Sequence, residues 1–151
     1  MLVIGDADVL VAISDPLDEH HIRAKKIIQS LIDQRVKALF PITAVCEAIT
    51  VLQSKRVQRG AKWVVRPEEA KFLVEKVQRG AVPLLPLNKE MITQALEIYE
   101  QENMAYTKGN TLFDALVATI AKNHKADAVF SFDHWYSEMR LEMAFEKFLE
   151  E

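Results

Sequence analysis

Four carboxylates stand where their types and spacing could do chemistry: Asp6, Glu47, Asp114 and Asp133. Asp6 and Asp133 each come at the end of a short apolar run. Glu47 is set among Val45, Cys46, Ala48 and Ile49, and Asp114 among Phe113, Ala115, Leu116 and Val117. Singly, each has a plain structural reading: a strand stop for Asp6, a solvated helix position for Glu47, a helix cap for Asp114, a turn for Asp133. Acids inside such apolar runs are seldom merely solvated. Ionised carboxylates that converge repel one another and take up protons more readily, unless a cation occupies the middle. Oxygen donors without a His or Cys cluster favour a hard ion, Mg²⁺ or Mn²⁺, over zinc. Such an ion orients and deprotonates a water while neutralising charge on a phosphodiester, so the chemistry implied is hydrolytic phosphodiester cleavage.

The elements that must position these acids follow from apolar spacing. Met1 to Gly5 is a buried strand by its length and its Val and Ile content. Asp15-Pro16 reads as N-cap and first residue of a helix from about 16 to 35, with Ile27, Ile28, Leu31 and Ile32 on one face. A second strand, Lys37 to Phe40, runs into Pro41, and Thr43 opens a helix that fades at Gly60. A further helix lies between Arg66-Pro67 and Gly80, and Val82 to Leu87 is the third strand. Asn88 caps a helix through about Asn103, with Met91, Ile92, Ala95, Leu96 and Tyr99 inward. Thr111 to His124 is another helix, Thr111 and Asp114 standing three apart as in a capping box. Asp127 to Phe132 is the fourth strand. Strands separated by long helices imply a mostly parallel sheet covered on both faces, and in such sheets ligands gather at the carboxyl ends of the strands. That edge is where the acids fall.

The ordered motifs Asp6-Ala7-Asp8-Val9-Leu10, Thr43 to Glu47, Asp114-Ala115-Leu116-Val117-Ala118 and Ser131-Phe132-Asp133 resemble those of the PIN-domain nucleases, and among them the VapC-type ribonuclease toxins of toxin–antitoxin systems. The resemblance covers essentially the whole chain as one domain, residues 1–151. It implies a three-layer α/β/α fold with a central four- or five-stranded, mostly parallel sheet. It also implies a Mg²⁺- or Mn²⁺-dependent endoribonuclease, with an RNA substrate, a small antitoxin partner and a homodimeric state. Carried over by position, Asp6, Glu47, Asp114 and Asp133 are the catalytic, metal-binding quartet. Thr43 and Ser131 match positions where the family often has a hydroxyl, and so hold carboxylates in place. Asp8 stands where many members have Asn, with a role through water or as a turn cap.

Two rival readings start from the same residues. Asp6-Ala7-Asp8 after the first strand also resembles the opening of aspartate-nucleophile phosphatases of the haloacid dehalogenase class, although Val9-Leu10 lacks the expected register and no Lys is suitably placed. The other rival is a non-catalytic PIN-like module that binds RNA or protein, against which all four acids argue.

Lys55, Arg56, Arg59 and Lys62 form a basic stretch at the expected end of the Glu47 helix, suited to guiding an RNA backbone, or equally to a solvated helix end. Trp63 beside them reads as a packing residue first and a base-stacking one second. His134 and Trp135 follow Asp133 and are candidates to line a cleft. His20 and His21 read as exposed helix positions, and His124 as one near a helix C-terminus. Leu141, Phe145 and Phe148 read as the apolar face of a last helix, and Cys46 as a reduced, buried small hydrophobe.

Composition agrees with one folded domain. The chain has 151 residues, half of them hydrophobic, and a formal net charge of -3, an odd total for a permanent nucleic-acid binder, with the basic stretch as a local exception. One Cys excludes an internal disulfide. No run approaches the length of a membrane span, and Asp6 and Asp8 interrupt the place a signal peptide would need, so a cytoplasmic location without membrane contact is expected.

Overall fold

The computed structural model describes residues 1–59, 61–65, 67–107 and 109–149, with side chains left out of account at 56–59 and 65. Val3 and Ile4 are both fully buried. Successive strand side chains point to opposite faces, so both faces of their strand must be covered. That strand, β1 (Leu2–Gly5), lies inside a four-stranded parallel sheet. Its neighbours are β2 (Lys37–Pro41) and β6 (Ala128–Phe130), and β5 (Leu84–Leu85) lies outside β2.

One face carries α1 (Ala7–Ser14), α2 (His21–Asp33), α3 (Ile42–Ser54) and α4 (Pro67–Gln78), whose apolar residues merge with Val3, Phe40, Ala128 and Phe130. The other carries α6 (Leu112–Asn123), which sets Val117 and Ile120 against Ile4 and Val129, with α5 (Lys89–Gln101) packed behind it. The expected three-layer α/β/α architecture is therefore present, with four parallel strands. Gly5 lets β1 and β2 approach: a Cβ built there would stand 2.1 Å from Cε1 of Phe40.

The local elements depart from expectation in several places. The helix expected from 16 to 35 is the shorter α2, and α1, which was not expected, precedes it with a turn between them. Asp15 closes α1, its N–H donating to the Val11 carbonyl, and its carboxylate accepts from Leu17 N and from Lys55 Nζ at 2.7 Å. An acid engaged by a lysine far along the chain does not act as an N-cap. The helix expected to fade at Gly60, a residue outside those described, ends at Ser54. A hairpin follows, β3 (Arg56–Arg59) against β4 (Lys62–Val65), antiparallel. Ile92 and Leu96 are exposed, not inward, while Ala95 is buried. Cys46 is exposed.

The C-terminal helix is short as well. Phe145 and Phe148 are buried as expected, but α8 spans only Ala144–Lys147, after Met143 has bridged to Val129 as a fifth, single-residue strand contact. Between β6 and α8 lies α7 (Trp135–Glu138), one turn long. Among the described residues, no helix is long and apolar enough to cross a membrane.

Candidate active site

Asp6 leaves β1 in extended conformation and caps α1, its Oδ1 accepting from Ala7 N at 2.6 Å. The cap is local chemistry, an acid answering the unpaired N–H groups of a first turn. Its other oxygen, Oδ2, accepts a 2.5 Å hydrogen bond from the hydroxyl of Tyr136 on α7. The same hydroxyl lies 3.4 Å from Oδ1 of Asp114. Asp114 sits in the first turn of α6 and completes the expected capping box: Thr111 Oγ1 accepts from Phe113 N, and Asp114 Oδ2 accepts from Thr111 N at 2.7 Å. The plain reading of Asp114, a helix cap, therefore holds.

Asp133, just beyond β6, turns the chain into α7 by accepting from Trp135 N at 2.9 Å. Its Oδ2 takes a 2.6 Å bond from Asn110 Nδ2, which also lies 3.5 Å from Asp114 Oδ2. Ser131, fully buried, donates to Asp8 Oδ2 at 2.8 Å and accepts from Asp133 N at 3.0 Å. Asp8 Oδ2 also accepts from Phe132 N at 2.7 Å. Asp8 therefore ties the first turn of α1 to the end of β6. Glu47, half-buried in α3, makes no hydrogen bond among the described residues but feels the charges of Asp114 and Asp8.

The electrostatics follow from this crowding. Burial pushes the Asp6 carboxyl well above the usual range, and the charges of Asp8 and Asp114 push it further, while the Tyr136 hydrogen bond pulls it back. Asp8, Asp114 and Glu47 are raised too, each chiefly by burial; Asp133 adds to the shift of Asp8 and of Asp114. Burial also holds the Tyr136 phenol well above its ordinary value, so it remains a neutral donor.

The donor set is all oxygen. Among the described residues, no three acidic, His or Cys side chains are close enough to enclose an ion. Mg²⁺ dehydrates reluctantly and takes one or two carboxylates with several waters, so it does not require three such side chains. Two buried oxygens without hydrogen-bond partners, Asp8 Oδ1 and Thr43 Oγ1, are the kind of groups that ordered water satisfies. Thr43 lies one helical turn before Glu47, and its hydroxyl holds no carboxylate among the described residues. The residues present fit a hydrated hard cation.

The sequence analysis missed Tyr136 and Asn110. Tyr136 reads as one more aromatic beside Trp135, and only its spacing, one helical turn past Asp133, could have pointed to it. Asn110 directly precedes the capping Thr111, where a polar residue looks like loop. Of the residues expected to touch RNA, Lys55 is engaged, 2.7 Å from Asp15 and 3.3 Å from Asp18. Lys62 is exposed on the hairpin, and the side chains of Arg56 and Arg59 lie outside the described ones. Trp63 is exposed. His134 is exposed beside Asp133, His20 stacks on Phe132, and the His21 ring bonds to the Ala12 carbonyl.

A family model described as PIN domain matches residues 3–140. No curated protein matches the chain in sequence. Among solved structures, it is similar to VapC20 of Mycobacterium tuberculosis, described as a sarcin-ricin loop cleaving toxin, with a TM-score of 0.72 at 15% identity, over 92% of this chain and 95% of that one. It is also similar to FitAcB from Neisseria gonorrhoeae, with a TM-score of 0.61 at 16% identity over 95% and 96%. FitAB bound to the IR36 DNA fragment gives 0.62 at 17% identity over 95% and 93%.

Proposed function

Because the chain belongs to the PIN domain family, we propose that it is a metal-dependent endoribonuclease, the toxin of a type II toxin–antitoxin pair. The observation that carries this reading is the gathering of Asp6, Asp8, Glu47, Asp114 and Asp133 at the carboxyl edge of one parallel sheet, linked through Tyr136, Asn110 and Ser131. The description of VapC20 as a sarcin-ricin loop cleaving toxin supports the toxin part of this reading, to which an RNA substrate and a small antitoxin partner belong. A cytoplasmic location and a homodimer belong to the same reading.

Asp6, Glu47, Asp114 and Asp133 would hold Mg²⁺ or Mn²⁺, which when bound supplies charge neutralisation at the phosphodiester and activation of a water. The chain's own part is to orient and to exclude. Tyr136 and the α1 cap fix both oxygens of Asp6. Asn110 and the α6 cap hold Oδ2 of Asp114, while Asn110 and Trp135 N hold the two oxygens of Asp133. Ser131 and Asp8 hold the β6 end against α1, and Thr43 stands below Glu47. Glu47, with no such tether, is free to follow the substrate or accept a proton from water.

The test is cleavage of labelled total RNA by the purified chain with Mg²⁺ or Mn²⁺, beside EDTA and an Asp6→Asn variant. Cutting is expected only with both metal and Asp6. Undiminished cutting in EDTA or by D6N overturns the reading.

A further inference from the structure

An acidic site that is to act on RNA needs a cation nearby to hold the polyanion. Lys55 is engaged by two aspartates. The hairpin begins beyond Ser54, seven residues of helix past Glu47, which is about 10 Å at the rise of an α-helix. Arg23, in the first turn of α2, is placed differently. Its guanidinium carbon lies 4.4 Å from the centre of the Phe145 ring and 5.9 Å from that of Phe132. Phe132 is the residue between Ser131 and Asp133, and its N–H donates to Asp8. The ring is itself fixed, stacked on His20 at 4.1 Å and on Phe145 at 4.7 Å. Beside it is a notch of about 20 Å³ bordered by Arg23, Ser131, Phe132, His134 and Glu146, room for about one water-sized group such as a phosphoryl oxygen.

A guanidinium lying over aromatic rings has its face occupied and its five N–H donors left at the edge, the arrangement suited to a phosphate. Among the described residues Arg23 has no ion pair or hydrogen bond, and Glu146, though it borders the notch, is exposed and does not pair with it. Resting on the nuclease reading, we propose that Arg23 is an RNA-phosphate anchor: it grips a backbone phosphate flanking the one presented to Asp6, Asp114 and Asp133. The Phe132–Phe145 stack sets its reach from the site. Glu146 moderates the grip by its charge. A phosphate contact of this kind positions the strand and carries no sequence information.

The experiment uses the full chain in an Asp6→Asn background with Mg²⁺, and a fluorescein-labelled single-stranded RNA of mixed sequence read by anisotropy across a salt series. Arg23→Gln is expected to weaken binding roughly tenfold and to reduce the slope of log affinity against log salt by about 0.7, the value for one lost contact to a single strand. Arg23→Lys keeps the slope with part of the affinity, and Glu146→Gln tightens binding. With Asp6 present, Arg23→Gln raises KM for RNA cleavage and leaves kcat within a few-fold. Unchanged binding in Arg23→Gln overturns the proposal. So does equal weakening in Gln and Lys variants without a change of slope, which marks a structural role. A parent chain that cuts RNA while Arg23→Gln binds normally removes only the anchor, whereas a chain that neither binds nor cuts RNA removes the nuclease reading with it.

Discussion

Tyr136→Phe removes one oxygen from a fully buried side chain and leaves its packing intact. Lost with it is the 2.5 Å donor to Asp6, a carboxylate that is only 5% exposed. A hydrogen bond to a charged group contributes about 1.5–3 kcal/mol, which for a domain of this size is a fall in Tm of about 3–12 °C. The loss has a pH signature. The folded-state pKa of Asp6 is raised, so its contribution to stability is full below the unfolded value, about 3.9, and is lost as pH rises through the folded one. The Tyr136 bond acts against that rise, and deleting it lifts the folded value further. The variant can relieve the strain by taking up a proton in acid but not in alkali. Thermal melts of both proteins in EDTA should therefore show a smaller difference at an acid pH than at an alkaline one. Calorimetric titration with Mn²⁺ should show affinity about 10–100-fold weaker in the variant, the usual effect of freeing a ligand's supporting bond. An equal loss at both pH values, or none, refutes the assignment of Tyr136 as the donor that draws the Asp6 pKa back down.

Three other outcomes follow from the same structure. Since burial raises Asp6, Asp8, Asp114 and Glu47 alike, the metal-free chain should melt at lower temperature as pH climbs from acid to neutral; Mg²⁺ at a hundred times its Kd should restore about 2.7 kcal/mol, read in the same melts. Lys55→Ala takes the cation from Asp15, which is 2% exposed; denaturant titration should show a loss of about 1–3 kcal/mol, with RNA cleavage per folded molecule unchanged. Gly5→Ala forces a methyl against the Phe40 ring at 2.1 Å and should cost about 1–3 kcal/mol by chemical unfolding.

What the sequence disclosed depended on range. Features written within a few residues were legible: the Thr111–Asp114 capping box, the Asn88 cap, and the apolar strands that end in Asp6 and Asp133. The parallel order and three layers were legible too, because strands that alternate with helices leave few other arrangements. Features made by distant partners were not. Asp15 looked like an N-cap because nothing local reveals that Lys55, 40 residues on, holds its carboxylate. The β3–β4 hairpin was hidden because a short basic ribbon lacks apolar alternation. Tyr136 was hidden because a phenol in an aromatic run signals packing, and its hydroxyl gains meaning only when a tertiary contact brings Asp6 and Asp114 to it.

Under the proposed function Asp114 has a double duty, which affects how activity can be judged in other chains of this kind. Its Oδ2 closes the first turn of α6 whether or not any RNA is ever cut. A descendant that abandoned catalysis would still be held to an acid at that position by the needs of folding. Glu47 carries no such obligation, since no hydrogen bond among the described residues depends on it. In sorting working copies from decayed ones, an intact Asp114 is weak testimony, and the fate of Glu47 is the sharper witness.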